Sequence, residues 1–171
     1  MRRAAAALLW LTLAVPAAAA PSIDARIQKL ADAGEIRTLL HDYGRLLDAR
    51  DLTAFAALFA RDGEWIGGLG TAKGPAAIGA MMRKAFGDAA IGSNHANFHL
   101  LSNEIVAVDD DTATAWSRWT FVAADTAGRP AMAMAGHYDD RLVREGGRWR
   151  FARRVATTDI GPPPPPAAPA R

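Results

Sequence analysis

Apolar residues recur at helical spacing early in the chain: Ile27, Leu30, Ile36, Leu39, Leu40, Tyr43, Leu46 and Leu47. That period predicts a helix, with Gly34 as a point where it can break. Asp51 is placed to cap a second short helix, whose apolar face is Leu52, Phe55, Ala56 and Phe59. Arg61-Asp62-Gly63 reads as a turn, Glu64-Trp65-Ile66 as a short strand, and Gly67 to Gly74 as a glycine-rich loop. Pro75 stands where a third helix would start. Its apolar stripe is Ile78, Met81, Met82, Ala85 and Phe86, and Gly87 ends it.

Beyond about residue 96 the period changes to that of strands. Asn97 to Val108 and Thr112 to Ala124 flank the turn Asp109-Asp110-Asp111. After a turn at Asp125 to Pro130, Met132 to Arg144 and Arg148 to Thr158 pair across Glu145-Gly146-Gly147. Helices first and an antiparallel meander after them predict an α+β fold rather than alternating α/β.

The two ends stand outside this pattern. Met1-Arg2-Arg3, the apolar run Ala4 to Val15, Pro16 and the small residues Ala17 to Ala20 have the plan of a secretory signal peptide. Cleavage after Ala19 assigns residues 1–19 to it, and predicts an exported protein, periplasmic or secreted, with no stable membrane anchor. Residues 22–160 form one folded domain. Residues 161–171, with five consecutive prolines, read as a disordered polyproline tail.

Export also changes the charge. Without Arg2 and Arg3 the 20 basic residues fall to 18 and equal the 18 acidic ones. The footprint expected of a nucleic-acid-binding protein is therefore absent. The chain has no cysteine, so an exported domain of this kind relies on its core rather than on disulfides.

Few residues offer chemistry. Asp48 falls at the end of the first helix, where it is either a solvated acid paired with Arg50 or part of a site. His99 lies on a strand, with His95 and Asn97 on the same face by alternation. It is either a satisfied structural histidine or a base. A carboxylate that orients an imidazole makes a general base useful near neutral pH. His95 and His99 could also share a metal, but no metal motif accompanies them. Gly67 to Gly74 lacks the Gly-Lys-Ser/Thr ending of a phosphate loop. Arg153 and Arg154 alternate, so one points inward or the two form a solvated pair.

With these residues in order, the chain resembles the SnoaL-like, nuclear-transport-factor-2-like superfamily. The resemblance is closest to its scytalone dehydratase and hexachlorocyclohexane dehydrochlorinase branch and spans about residues 23–160. It rests on Leu47-Asp48, Asp62-Gly63-Glu64-Trp65, the loop Gly70 to Pro75, His99 followed by Asn103, and Gly147-Arg148-Trp149-Arg150-Phe151. The resemblance implies a cystatin-like α+β barrel, a curved antiparallel sheet wrapped around N-terminal helices to form a conical cavity. It implies Asp48 and His99 as a catalytic dyad, and Tyr43, Trp65, Met134, Tyr138 and Arg154 as substrate-binding residues. Tyr43 replaces the lysine common in the dehydrochlorinase, which points away from that particular reaction. The expected function is a cofactor-independent, metal-free lyase or isomerase of dehydratase type, acting on a hydrophobic cyclic substrate. The alternative is a non-catalytic binding or association module. A homodimer or homotrimer is expected, as in the family.

Overall fold

In the computed structural model, residues 20–162 are described; the segment read above as a signal peptide and most of the proline-rich tail lie outside them. Helix α1 runs from Ile23 to Asp48, and α2 from Leu52 to Ala56. Strands β1 (Phe59–Gly67) and β2 (Gly70–Lys73) precede α3 (Pro75–Phe86). Four long strands follow: β3 (Asn97–Asp109), β4 (Thr112–Ala124), β5 (Pro130–Glu145) and β6 (Arg148–Ile160).

The strands form one six-stranded sheet in the order β2-β1-β6-β5-β4-β3. The four long strands make the expected antiparallel meander, but β1 pairs with β6 in parallel. The sheet curves without closing, because β2 and β3 are both edges. Its curvature has local causes. Asn103, at φ 57°, sits in a bulge between Ser102 and Ile105 and bends β3 beside α1. Asparagine tolerates this left-handed backbone, so the His99-to-Asn103 spacing marks a bend rather than a second functional group.

Three local expectations are corrected. Gly34 does not break α1: it is exposed and meets no neighbouring atom, so its propensity cost falls inside an otherwise continuous helix. Arg61-Asp62-Gly63 is not a turn but the irregular part of β1. A Cβ on Gly63 would lie 2.5 Å from the Phe151 carbonyl oxygen, so only glycine allows the approach to β6. The Gly67–Gly74 segment is a hairpin rather than a plain loop, because Gly70–Lys73 turns back to pair with Glu64–Gly67. Phe59 consequently opens β1 instead of extending α2.

The core lies between α1 and the concave sheet face. Ile36, Leu40, Tyr43 and Leu47 of α1 pack with Phe55, Phe59, Leu142, Trp149 and Phe151. Near its start, α1 is tied to the far ends of the strands. Asp32 accepts hydrogen bonds from Arg144 Nη2 at 2.6 Å and Gln28 Nε2 at 3.2 Å. The Arg144 guanidinium in turn lies 4.5 Å from the Trp149 ring centroid. The Arg144 contact, above all, holds the Asp32 carboxyl below the ordinary carboxylate range. A lowered folded-state value stabilises the fold above the unfolded value of about 3.9, and the contribution is lost as pH falls through the folded value. Asp32→Asn should therefore be less stable than wild type at neutral pH. The gap should narrow in acid below about pH 4, as read from urea unfolding at both pH values.

One glycine shapes the cavity described next. A Cβ on Gly136 would stand 2.0 Å from the Thr157 carbonyl oxygen on β6 and 2.6 Å from Trp119 Cζ2. Gly136→Ala is expected to cost about 3 kcal/mol or more, because the β5 backbone must move away from β6, and to displace the indole. Urea unfolding reads the cost, and tryptophan emission the displacement.

Candidate active site

Helix α1 ends at the site. Its last residue, Asp48, faces His99 near the start of β3, with the carboxylate gripping both the ring and the backbone of that residue. Asp48 Oδ1 lies 2.6 Å from His99 Nδ1, and Asp48 Oδ2 accepts the His99 backbone N–H at 2.7 Å. The side chains are only 18% and 15% exposed, so water competes little for this contact. A carboxylate accepts but does not donate, so in the neutral imidazole Nδ1 carries the proton and Nε2 keeps its lone pair. The helix C-terminus and the carboxylate also favour positive charge developing on the ring during proton transfer.

Neighbouring residues hold this arrangement. Asn94 Nδ2 donates to the Asp48 carbonyl at 3.0 Å. Arg50, at φ 62°, turns the chain away from the helix and donates to the Leu47 carbonyl at 2.7 Å and to Asn97 Oδ1 at 3.2 Å. It also lies 5.0 Å from the Phe86 ring centroid. Arg50 thus caps the helix end rather than pairing with Asp48, and Asp48 remains available to His99. His95 precedes β3 in an exposed loop, so strand alternation does not place it beside His99. Among the described residues, no three His, Asp or Glu side chains converge as a metal cluster.

His99 borders two cavities. The more apolar one, about 330 Å³, is bounded by Leu47, Trp65, Met82, Phe86, Trp119, Phe121 and Met134, with Tyr43 and Tyr138 on its wall. A second space of about 250 Å³ opens along the seam between α1 and β3 and includes Asp48, Gly44, His41 and Arg45. Tyr43, His99, Trp119 and Tyr138 border both. A volume near 330 Å³ falls at the lower end for small-molecule sites and suits a compact, largely apolar ligand.

Two phenols supply polar handles. Trp65 Nε1 donates to Tyr43 Oη at 2.8 Å, which leaves the tyrosine's own O–H proton free to donate. Burial pushes Tyr43 above its ordinary pKa, although Arg154 partly opposes this. Burial drives Tyr138 up further, with its neighbour Tyr43 adding to the effect. Both therefore remain neutral donors at physiological pH.

Of the candidate residues, the structure brings Asp48 and His99 into contact, with Asp48 bordering the smaller cavity and His99 both, and sets Tyr43, Trp65, Met134 and Tyr138 along the wall of the larger one. Arg154 is the correction. It is fully buried and borders neither cavity; its Nε and Nη2 donate to Asp140 Oδ1 and Oδ2 at 2.8 and 2.7 Å. A desolvated guanidinium needs such a partner, so it points to Asp140 and not to a ligand. Arg153, its neighbour, is half-buried beside Glu64. Asp140 and Phe121 were missed, though alternation from Tyr138 places Asp140 on the inner face.

The comparisons with known proteins agree with this fold. No curated protein sequence matches the chain. An NTF2-like protein with a cystatin-like fold from Novosphingobium aromaticivorans is 30% identical, covering 82% of this chain and 90% of its own, with a TM-score of 0.70. A protein of unknown function with a cystatin-like fold from Nostoc punctiforme is 27% identical over 81% of this chain and 95% of its own, TM-score 0.65. A protein provisionally named a scytalone dehydratase, also from N. aromaticivorans, is 26% identical over 79% and 89%, TM-score 0.65. The SnoaL-like domain profile matches residues 28–155, nearly all of the sheet and helix arrangement that forms the cavity, and the chain accordingly belongs to the SnoaL-like family.

Proposed function

We propose that this protein is a cofactor-independent lyase or isomerase of dehydratase type. His99 Nε2 removes a proton from an activated carbon of a small, hydrophobic cyclic substrate. Asp48 fixes the tautomer and stabilises the imidazolium as it forms. Tyr43 and Tyr138 donate hydrogen bonds to the oxygen on which negative charge develops, or to a departing hydroxyl. Proton transfer of this kind needs neither metal nor organic cofactor. The observation that carries the reading is the 2.6 Å Asp48–His99 contact at the edge of an apolar cavity that also presents two phenols.

The N-terminal segment supports an exported protein, periplasmic or secreted, in which the mature domain acts outside the cytoplasm. Phe98, Leu100 and Ile105 stand exposed along edge strand β3, which supports assembly into a homodimer or homotrimer.

A thermal-shift screen against phenolic, steroid-like and halogenated cyclic compounds tests the function, because a ligand of the native state raises the melting temperature by mass action. Each hit is then incubated with the protein and followed by mass spectrometry and NMR. Conversion or carbon-bound hydrogen exchange supports the proposal. Tight binding with neither would assign the chain to the non-catalytic ligand binders instead.

A further inference from the structure

Arg154 and Asp140 form a bidentate ion pair sealed inside the domain, with both side chains 0% exposed. Stability alone does not explain it, since well-packed apolar residues in place of a buried ion pair are often as stable or more so. The surroundings of the guanidinium are specific. Its Cζ lies 4.0 Å from the ring centroids of both Tyr43 and Tyr138, and 4.1 Å from that of Phe151. Nε and Nη2 are used by Asp140, while Nη1 has no hydrogen-bonding partner. The cation is therefore caged by three rings, two of which, Tyr43 and Tyr138, line the cavity.

We propose that Arg154 is a positioning residue that acts through Tyr43 and Tyr138, turning their hydroxyls into an anion-binding subsite for a phenolate or enolate oxygen. The inference rests on the functional reading above and names the charged group that site would take. A guanidinium stacked on a phenol draws electron density from the ring and makes the O–H a stronger donor. Asp140 holds the cation between the two rings, which are inclined at 66° to each other, and keeps it from reaching the ligand itself. Trp65, donating to Tyr43 Oη, fixes one hydroxyl so that its proton is the one offered. The subsite thus offers neutral hydroxyls with the cationic half of an ion pair packed behind their rings, which suits an anion that appears during reaction better than one that arrives already charged and fully hydrated.

The test uses 4-nitrophenol and nitrobenzene, which have similar shape and differ in the oxygen. Wild type is expected to bind 4-nitrophenolate, and bound 4-nitrophenol is expected to ionise at lower pH than the free compound, as read from its absorbance band. In the double variant Arg154→Met/Asp140→Leu, nitrobenzene affinity should stay the same. The preference for the phenolate should fall by about tenfold, the scale of a desolvated cation–π contact. Arg154→Lys, which retains a charge but not the planar stack, should lose part of the preference and serves if the double variant does not fold. The proposal is overturned if wild type fails to bind the phenolate, if the bound compound ionises at the same or higher pH, or if both ligands weaken equally in the variants. Because binding is read without turnover, a failed subsite and a failed His99 base give different results.

Discussion

His99→Ala is expected to lower turnover of any substrate found in the screen by about 10²–10⁴-fold, the usual range for removing a positioned general base. Substrate affinity should change little, because the apolar walls from Trp65 to Met134 are untouched. Asp48→Asn should have an effect of the same kind by a different route. An amide keeps only one acceptor oxygen: if it takes the His99 backbone N–H at the 2.7 Å position, its N–H faces the ring nitrogen at the 2.6 Å position, where the ring needs an acceptor. That would favour the wrong tautomer and remove the negative charge facing the nascent imidazolium. Steady-state kinetics on the two variants checks both: the loss should fall on kcat, with KM near wild type. Equal activity in wild type and both variants would remove the dyad from the mechanism.

Arg154→Met is expected to be the most destabilising single change at the site, by about 3–5 kcal/mol, because it leaves the Asp140 carboxylate buried without its partner. Burial already pushes the Asp140 carboxyl up, and Arg154 is what pulls it back. Without Arg154 the folded-state value rises further above the unfolded one. The sign is then the reverse of that for Asp32: the destabilisation is full at neutral pH and shrinks as pH falls and Asp140 takes up a proton. The double variant Arg154→Met/Asp140→Leu should recover most of the loss at neutral pH, since no charge remains to be paired. Urea unfolding of the three proteins at neutral and mildly acidic pH measures both effects. A single variant as stable as wild type would contradict the sealed ion pair.

Much of this was legible because it follows local rules. Asp51 capping α2, Pro75 opening α3 and the alternation of the last four strands depend on neighbours within a few residues, and all appear in the structure. The features that were misread depend on chain far away. Gly63 looks like turn chemistry until the Phe151 carbonyl arrives from a strand almost ninety residues on. Gly70–Lys73 is too short and glycine-rich to declare itself a strand, and becomes one only because β1 offers an edge. At the site, Asp48 and His99 carried no mutual signal in their spacing. Only the resemblance joined them, and the 51-residue separation is closed by α1 ending beside the start of β3. Arg154 was correctly singled out but given the wrong partner. Alternation says that a residue faces inward, not whether it meets a ligand or, as here, an aspartate on the next strand.

The central claim is that His99 moves a proton at carbon inside the apolar cavity. Hydrogen exchange in D₂O tests it most directly, using a ligand from the screen with an acidic C–H next to a carbonyl. NMR should show that hydrogen replaced by deuterium at a rate about 10²-fold or more above that with His99→Ala, with both proteins saturated. Equal exchange rates in the two proteins, at equal occupancy, would contradict the account.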